Sequence, residues 1–336
     1  MRVVMLYDVP EGNAGADAQD VLHQVRCVAD VLRACGHEVH SVRFSLDLNA
    51  VASTLRCLAP DLVFNLAEGA QGKGRYIHLA PSLLEDLGLA FTGAGSSAMA
   101  LSSNKLFAKV VMRAAGIPTP PWRSMDDLTD TRRTGRKRYL IKSVWEHASV
   151  GLEDDCLVEV DNSAALAAPL LRLRPRLGGE CFAERYVEGR EFNVAALDSP
   201  EGPRVLPLAE ILFEGLPEDA LKIVGYQAKW DEGSAQYQGT VRSFELKDAK
   251  LAEALKRQTL ECWKAFGLSG YARVDYRVDE SGCPQVIDIN ANPCLSPDAG
   301  FQAALELAGI SLATAVERIV ESALARNSAD AQGLVA

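Results

Sequence analysis

The stretch ARVDYRVDESGCPQVIDINANP, residues 272–293, reads as two β-rich runs, 272–278 and 285–289, joined by a turn at 280–284 that holds Gly282 and Pro284. Side chains alternate across a strand, and Asp275 lies between the apolar positions Val274 and Tyr276, while Asp288 and Asn290 are two residues apart. On paired strands these three oxygen-bearing side chains face the same side of the sheet. Hard oxygen ligands on rigid strands suit Mg²⁺, which keeps some waters and completes its shell with nucleotide phosphates. The pattern alone leaves a second reading open, a solvated acidic hairpin, because carboxylates on edge strands usually face water.

Working outward, residues 247–266 place Leu251, Leu255, Cys262 and Phe266 on one helical stripe, and 192–197 and 204–211 read as strands. Residues 301–326 read as helix and 327–336 as a frayed, flexible tail. Upstream, 139–143 and 180–187 read as strands around a helix at 163–173, a small α+β unit. A helix over 104–115 stops at Gly116, and Pro118, Pro120 and Pro121 prevent its continuation, which marks a domain boundary. At the N-terminus, strand 2–7, a helix carrying Val21, Val25, Val28 and Leu32, and strands 38–44 and 61–66 alternate. That order predicts a parallel sheet with ligands at the carboxyl ends of its strands, in loops 8–15 and 68–74.

The chain has 336 residues, 48% hydrophobic and 24% charged, the composition of an ordinary globular protein with more than one core. A formal net charge of −10 argues against a nucleic-acid partner. The basic run RRTGRKR at 132–138 reads as a solvated loop. Eight cysteines without metal-ligand spacing imply a reducing compartment, and no apolar run is long enough for a membrane span or a secretion signal. The cytoplasm is the expected location, with no membrane partner.

With these motifs in hand, residues 61–297 resemble the D-alanine–D-alanine ligase branch of the ATP-grasp superfamily, motif by motif and in order. Residues 65–122, with ALSSNK and the Pro-rich crossover, are similar to that family's first-domain loop, FTG turn and lysine helix; GYARVDYRVDESGCPQVIDINANP is similar to its paired metal strands. The resemblance implies an α/β (α+β) fold of three ATP-grasp domains: an N-terminal parallel α/β domain (1–100), a central domain (101–187) and a C-terminal catalytic domain (188–326). It implies ATP and two Mg²⁺ ions, or Mn²⁺ in their place, and a homodimer. ATP would be gripped by Lys105 and Lys142, which taken singly read as a solvated helix lysine and a strand-end lysine needing an anionic partner. In AERYVEGREFNV, Glu184 and the backbone of Arg185 and Val187 would hold adenine, and Glu191 the ribose. Lys229 would reach the terminal phosphate, and Asp275, Asp288 and Asn290 would ligate the metal. Arg273 would steady the carbonyl oxygen under attack, helped by the backbone of Cys294, with Ser149 in the lid loop beside them.

The departures from the family pattern fall where amino acids are read. The N-terminal loop does not match the family's glutamate motif, Ala148 replaces a serine, Trp230 a tyrosine, Cys294 a glycine and Ala299 a serine near the acceptor carboxylate. Glu68, His147, Trp230 and Ala299 are therefore the substrate candidates, with Lys73 and Arg75 adding positive charge nearby. The expected activity is ATP-dependent formation of an amide between a small carboxylate and an amine through an acyl phosphate, releasing ADP and phosphate. D-Alanine–D-alanine ligase itself is the alternative, and an ATP-binding module without catalysis is a third reading.

Overall fold

The computed structural model describes residues 1–8, 16–146, 149, 151–216, 221–231 and 233–333, and for 16–19, 227, 230 and 329–333 the backbone alone. The chain opens with β1 (Arg2–Tyr7), α1 (Ala16–Ala34), β2 (Glu38–Arg43), α2 (Leu48–Leu58), β3 (Leu62–Asn65) and α3 (Leu79–Asp86). The strands form an all-parallel sheet in the order β2-β1-β3, as the strand-helix alternation predicts. Both faces of β1 are buried, and the period of two sorts them. Val3 and Met5 enter one core with Val28 and Leu32 of α1, while Val4 and Leu6 enter another with Leu55 of α2 and Leu84 of α3.

Next come α4 (Ser96–Ser103) and α5 (Lys105–Ala114), the latter started by Asn104, whose side chain accepts from Leu106 N and Phe107 N. The central antiparallel sheet is built from β4 (Trp122–Arg123), β5 (Lys137–Ser143), β6 (Leu157–Val160) and, after α6 (Ala167–Leu173), β7 (Cys181–Arg185), in the order β4-β7-β5-β6. A larger sheet follows: β8 (Arg190–Leu197), β9 (Arg204–Val205), β10 (Ala209–Phe213), α7 (Tyr226–Trp230), α8 (Ala235–Gly239), β11 (Thr240–Ser243), α9 (Ala249–Phe266), β12 (Tyr271–Val278) and β13 (Pro284–Asn290). Its order is β11-β10-β8-β12-β13, with β9 paired to β8. The single strand expected over 204–211 is two, because Pro207 between them has no N–H to donate to a ladder.

Phe192 and Val194 of β8, with Ala272, Val274 and Tyr276 of β12, pack under the α9 face carrying Leu251, Leu255, Cys262 and Phe266. Burying each such large apolar side chain contributes about 1.5–3 kcal/mol. Met99, Ala108 and Met112 join this core, so α5, expected in the central domain, packs on the C-terminal one. The expected final helix is two, α10 (Gly300–Leu307) and α11 (Leu312–Gly333), broken at Gly309, where φ is +69°. Residues 327–333, expected to fray, continue α11. Ahead of them Arg326 donates to Phe91 O (2.6 Å) and Gly93 O (2.7 Å), anchoring that helix to the first domain.

Candidate active site

The faces of the central and C-terminal sheets turned away from α6 and α9 enclose a cavity of about 570 Å³, of a size that holds a small-molecule ligand. Its far end is closed by Asp20 of α1, Glu68 of the loop after β3, and Cys294. Every candidate from the sequence whose side chain is described lines it. Trp230 ends α7, and its side chain lies outside the described residues, as do His147 and Ala148 entirely. Neither Lys73 nor Arg75 lines the cavity. Arg75 instead pairs with Glu180 at 2.5 Å and lies 5.8 Å from the Trp145 ring centre.

At one end Glu184, on β7, is fully buried between two ammonium groups: Lys142 on β5 at 2.6 Å and Lys109 on α5 at 2.5 Å. Burial pushes the Glu184 carboxyl up, and the two cations outweigh it, holding the group below the usual carboxylate range. For Lys109, buried to 1% exposure, burial wins and lowers its pKa despite Glu184. Lys142 thus has the anionic partner that its strand-end position required. Lys109 escaped the sequence reading, although it sits four residues after Lys105 and shares its helix face. Lys105 itself donates to Glu146 O (3.0 Å) and lies 3.9 Å from Asp288.

Along the segment 184–191, Arg185 and Val187 line the cavity, and Glu191 accepts from Arg277 (3.1 Å). Burial raises the Glu191 pKa more than Arg277 lowers it. Arg277 also donates to Val187 O (3.0 Å) and Lys222 O (2.8 Å), tying that segment to β12. The signal for Arg277 was present in the R-x-D-x-R alternation of residues 273–277, which puts Arg273, Asp275 and Arg277 on one face.

The two strands proposed to carry metal ligands meet as their pattern requires: Asp275 pairs directly with Asp288, and Arg273 with Asn290. A bulge after Asp275 puts Val286 opposite Tyr276, so Ile287 and Asp288 both face the cavity while Val286 and Ile289 stay in the core. Asp275 takes a bidentate pair from Arg273 (Nε 2.7 Å, Nη2 2.9 Å) and a further bond from Asn193 on β8 (2.9 Å). Burial opposes the Arg273 cation, and Asp275 more than restores it, so the guanidinium stays charged. The Lys229 pKa is lowered by burial and then by Arg273. Two carboxylates and an amide oxygen on adjacent strands are the hard donor set that fits a magnesium ion.

At the far end the Cys294 thiol donates to Asp20 Oδ2 (3.2 Å) and lies 3.1 Å from Ser296 Oγ, whose hydroxyl reaches Asp20 Oδ1 (2.8 Å). Burial and then Asp20 push the thiol pKa far up, which keeps sulfur protonated and unfit as a nucleophile. Asp20 was passed over because the loop before it matches no clear motif. Ser149 lines the cavity with a left-handed backbone (φ +60°), and its hydroxyl donates to Val224 O (2.7 Å). Glu68 lines the cavity, its N–H held by Asp8 (2.7 Å). Ala299 lines it with only a methyl group, beside Arg242. Residues 235–239 form α8, started by Ser234, which accepts from Tyr237 N.

A family model for the D-ala D-ala ligase C-terminus matches residues 111–321. The D-alanine–D-alanine ligase of Gluconobacter oxydans is 30% identical over 88% of this chain and 92% of its own length. That of Aquifex aeolicus is 29% identical over 87% and 90%. Protein y4sG of Sinorhizobium fredii is 31% identical over 88% and 86%. Among solved structures, the D-alanine–D-alanine ligase from Bacillus anthracis complexed with ATP superposes with a TM-score of 0.72 at 18% identity, covering 98% of this chain and 99% of that one.

Proposed function

The chain belongs to the D-alanine–D-alanine ligase family of ATP-grasp enzymes, and from that premise we propose that it joins two amino acids through an acyl phosphate, D-alanine being the leading substrate. The names of the relatives favour this alternative over an unrelated carboxylate–amine pair. The observation that carries the reading is the meeting of Lys105, Lys142, Lys229, Arg273, Asp275, Asp288 and Asn290 around one cavity.

In this reading Glu184, with the backbone of Arg185 and Val187, holds adenine, Glu191 the ribose, and Lys105, Lys142 and Lys229 the phosphates as point charges. Lys142 must then share its charge between Glu184 and the nucleotide, which the second cation on Glu184, Lys109, permits. Asp275, Asp288 and Asn290 would hold Mg²⁺, which when bound neutralises phosphate charge and aligns the transferred group. The donor carboxylate attacks the terminal phosphorus of ATP and releases ADP. The acceptor amine then attacks the acyl carbon, its proton is lost, and the C–O bond to phosphate breaks. Arg273, held by Asp275, stabilises the oxyanion that forms in between. Sulfur takes no covalent part, because the Cys294 thiol is held protonated.

Eight free cysteines support a reducing compartment, and we place the enzyme in the cytoplasm as a homodimer. Among the described residues no helix is long and apolar enough to cross a membrane. A second reading, that one of the two amino acids is not D-alanine, is favoured by Ala299, whose methyl group offers no hydrogen bond to an acceptor. ADP release from Mg-ATP with D-alanine alone, and with D-alanine paired with other amino acids, separates the two readings. Release in the first well with a dipeptide by mass spectrometry supports the first, and release only in a mixed well supports the second. Silence in every well would overturn both.

A further inference from the structure

Arg242 is a cavity residue that none of the roles above employs. It lies on the edge strand β11, where the period of two sends Thr240 and Arg242 to the same face, and both line the cavity. Arg273 is paired with Asp275, and Arg277 with Glu191. Arg242 makes no hydrogen bond or ion pair with any of the described residues. Its guanidinium lies against the backbone at Gly300, where Nε and Nη2 are each 3.4 Å from the position a Cβ would take. Gly300 follows Ala299, where the resemblance leads one to expect a hydroxyl for the acceptor's carboxylate. Burial and then the like charge of Arg273 disfavour the Arg242 cation, and Asp298 compensates only in part. Two guanidinium groups therefore line one cavity, and only Arg273 has a carboxylate within bonding distance among the described residues.

We propose that Arg242 binds the free carboxylate of the acceptor amino acid, in place of the hydroxyl missing at Ala299, and so restricts the acceptor to amines that carry a carboxylate. This rests on the amide-ligase reading above. A guanidinium fork meets a carboxylate through two parallel N–H···O bonds, which an alanine methyl group cannot offer. The bound carboxylate would also relieve the repulsion between Arg242 and Arg273, leaving the latter for the oxyanion.

The test compares wild type with Arg242→Met and Arg242→Lys, using D-alanine or D-alaninamide as acceptor and reading ADP release. Arg242→Met should raise the KM for the carboxylate acceptor about tenfold or more. It should leave the KM for ATP and for D-alaninamide unchanged, and Arg242→Lys should recover part of the loss. Equal effects on the acid and the amide, or no effect on either, would overturn the proposal. Labelling of wild type with phenylglyoxal, followed at the peptide holding Arg242, decides the matter without turnover. Protection by D-alanine but not by D-alaninamide supports the assignment; absence of protection by D-alanine overturns it. If wild type releases no ADP in any mixture, the ligase reading fails separately, while the labelling still reports on the carboxylate.

Discussion

The two ends of the cavity are built on opposite electrostatic plans. At the proposed nucleotide end the charges are already neutralised within the protein: Glu184 by Lys109 and Lys142, Glu191 by Arg277, and Asp275 by Arg273. Apart from Lys109 on α5, they sit on strands whose other faces form hydrophobic cores. At the proposed acceptor end Arg242 makes no hydrogen bond or ion pair with a described residue, Ala299 offers only a methyl group, and Asp20 is spent on a thiol and a hydroxyl. A site paired in advance holds its geometry without ligand, whereas an end with an incompletely compensated charge is completed by what binds. In the proposed reading, the first end sets the reaction type and the second the choice of substrate.

The largest effects should come from unpairing the first end. Lys109→Ala leaves the buried Glu184 with Lys142 alone, and loss of one partner from a buried ion pair costs about 3–5 kcal/mol. Urea unfolding should register that drop, and Lys109→Met should be destabilised as well, since the loss is of charge rather than volume. A shift under about 1 kcal/mol would mean that the pairing matters far less than its burial implies. Next in size is Arg273→Ala. Removing a donor to the oxyanion should lower kcat by about 10²–10³. ATP binding, followed by nucleotide fluorescence or calorimetry, should hold within about threefold, because a kcat-only loss marks a contact made in the transition state. Equal losses in kcat and in ATP affinity would move Arg273 to nucleotide binding.

How much of this was legible in the sequence divides along the same line. Strand alternation and the turn at Gly282 suffice to put Asp275, Asp288 and Asn290 on one face, because period two is local. The parallel sheet followed equally from the alternation of strands and helices. What escaped was non-local or lacked periodicity. Lys109 and Arg277 showed their spacing but not their partners, since those lie 75 and 86 residues away. The helix α8 hid in a Gly- and Ser-bearing stretch that reads as loop, and the packing of α5 on α9 depends on tertiary contact that composition does not encode. Arg242 was missed for a simpler reason: an edge-strand arginine next to Val241 and Ser243 looks like ordinary solvated surface.

The two buried glutamates sharpen the comparison through pH. The Glu184 pKa is held below the ordinary glutamate value, so the folded state binds that proton less readily than the unfolded chain. Its contribution is complete above the ordinary value of about 4.3 and is lost as pH falls through the depressed folded value. Glu191 is raised by burial, so its contribution is complete below the ordinary value and is lost as pH rises through the folded one. Stability measured by urea unfolding from pH 3 to pH 8 should show an acid limb that Glu184→Gln reduces and Glu191→Gln leaves in place. If both variants change the same limb, the two carboxylates titrate as one coupled group.

The smallest effect should come from the basic residue that the sequence placed near the substrate and the fold places outside the cavity. Arg75 is 43% exposed on its side chain, pairs with an equally exposed Glu180, and packs near Trp145. An exposed pair contributes about 0–1 kcal/mol and is screened by salt, so Arg75→Ala should move stability by no more than that. ADP release should keep its KM for every amino-acid substrate within about twofold, since removal of a residue that touches no ligand leaves uniform binding intact. A KM that rose several-fold for one substrate would put Arg75 in contact with it and draw the acceptor end beyond the cavity wall seen here. An unchanged KM, beside a large change in Arg242→Met, would confine substrate reading to the strand edge at β11.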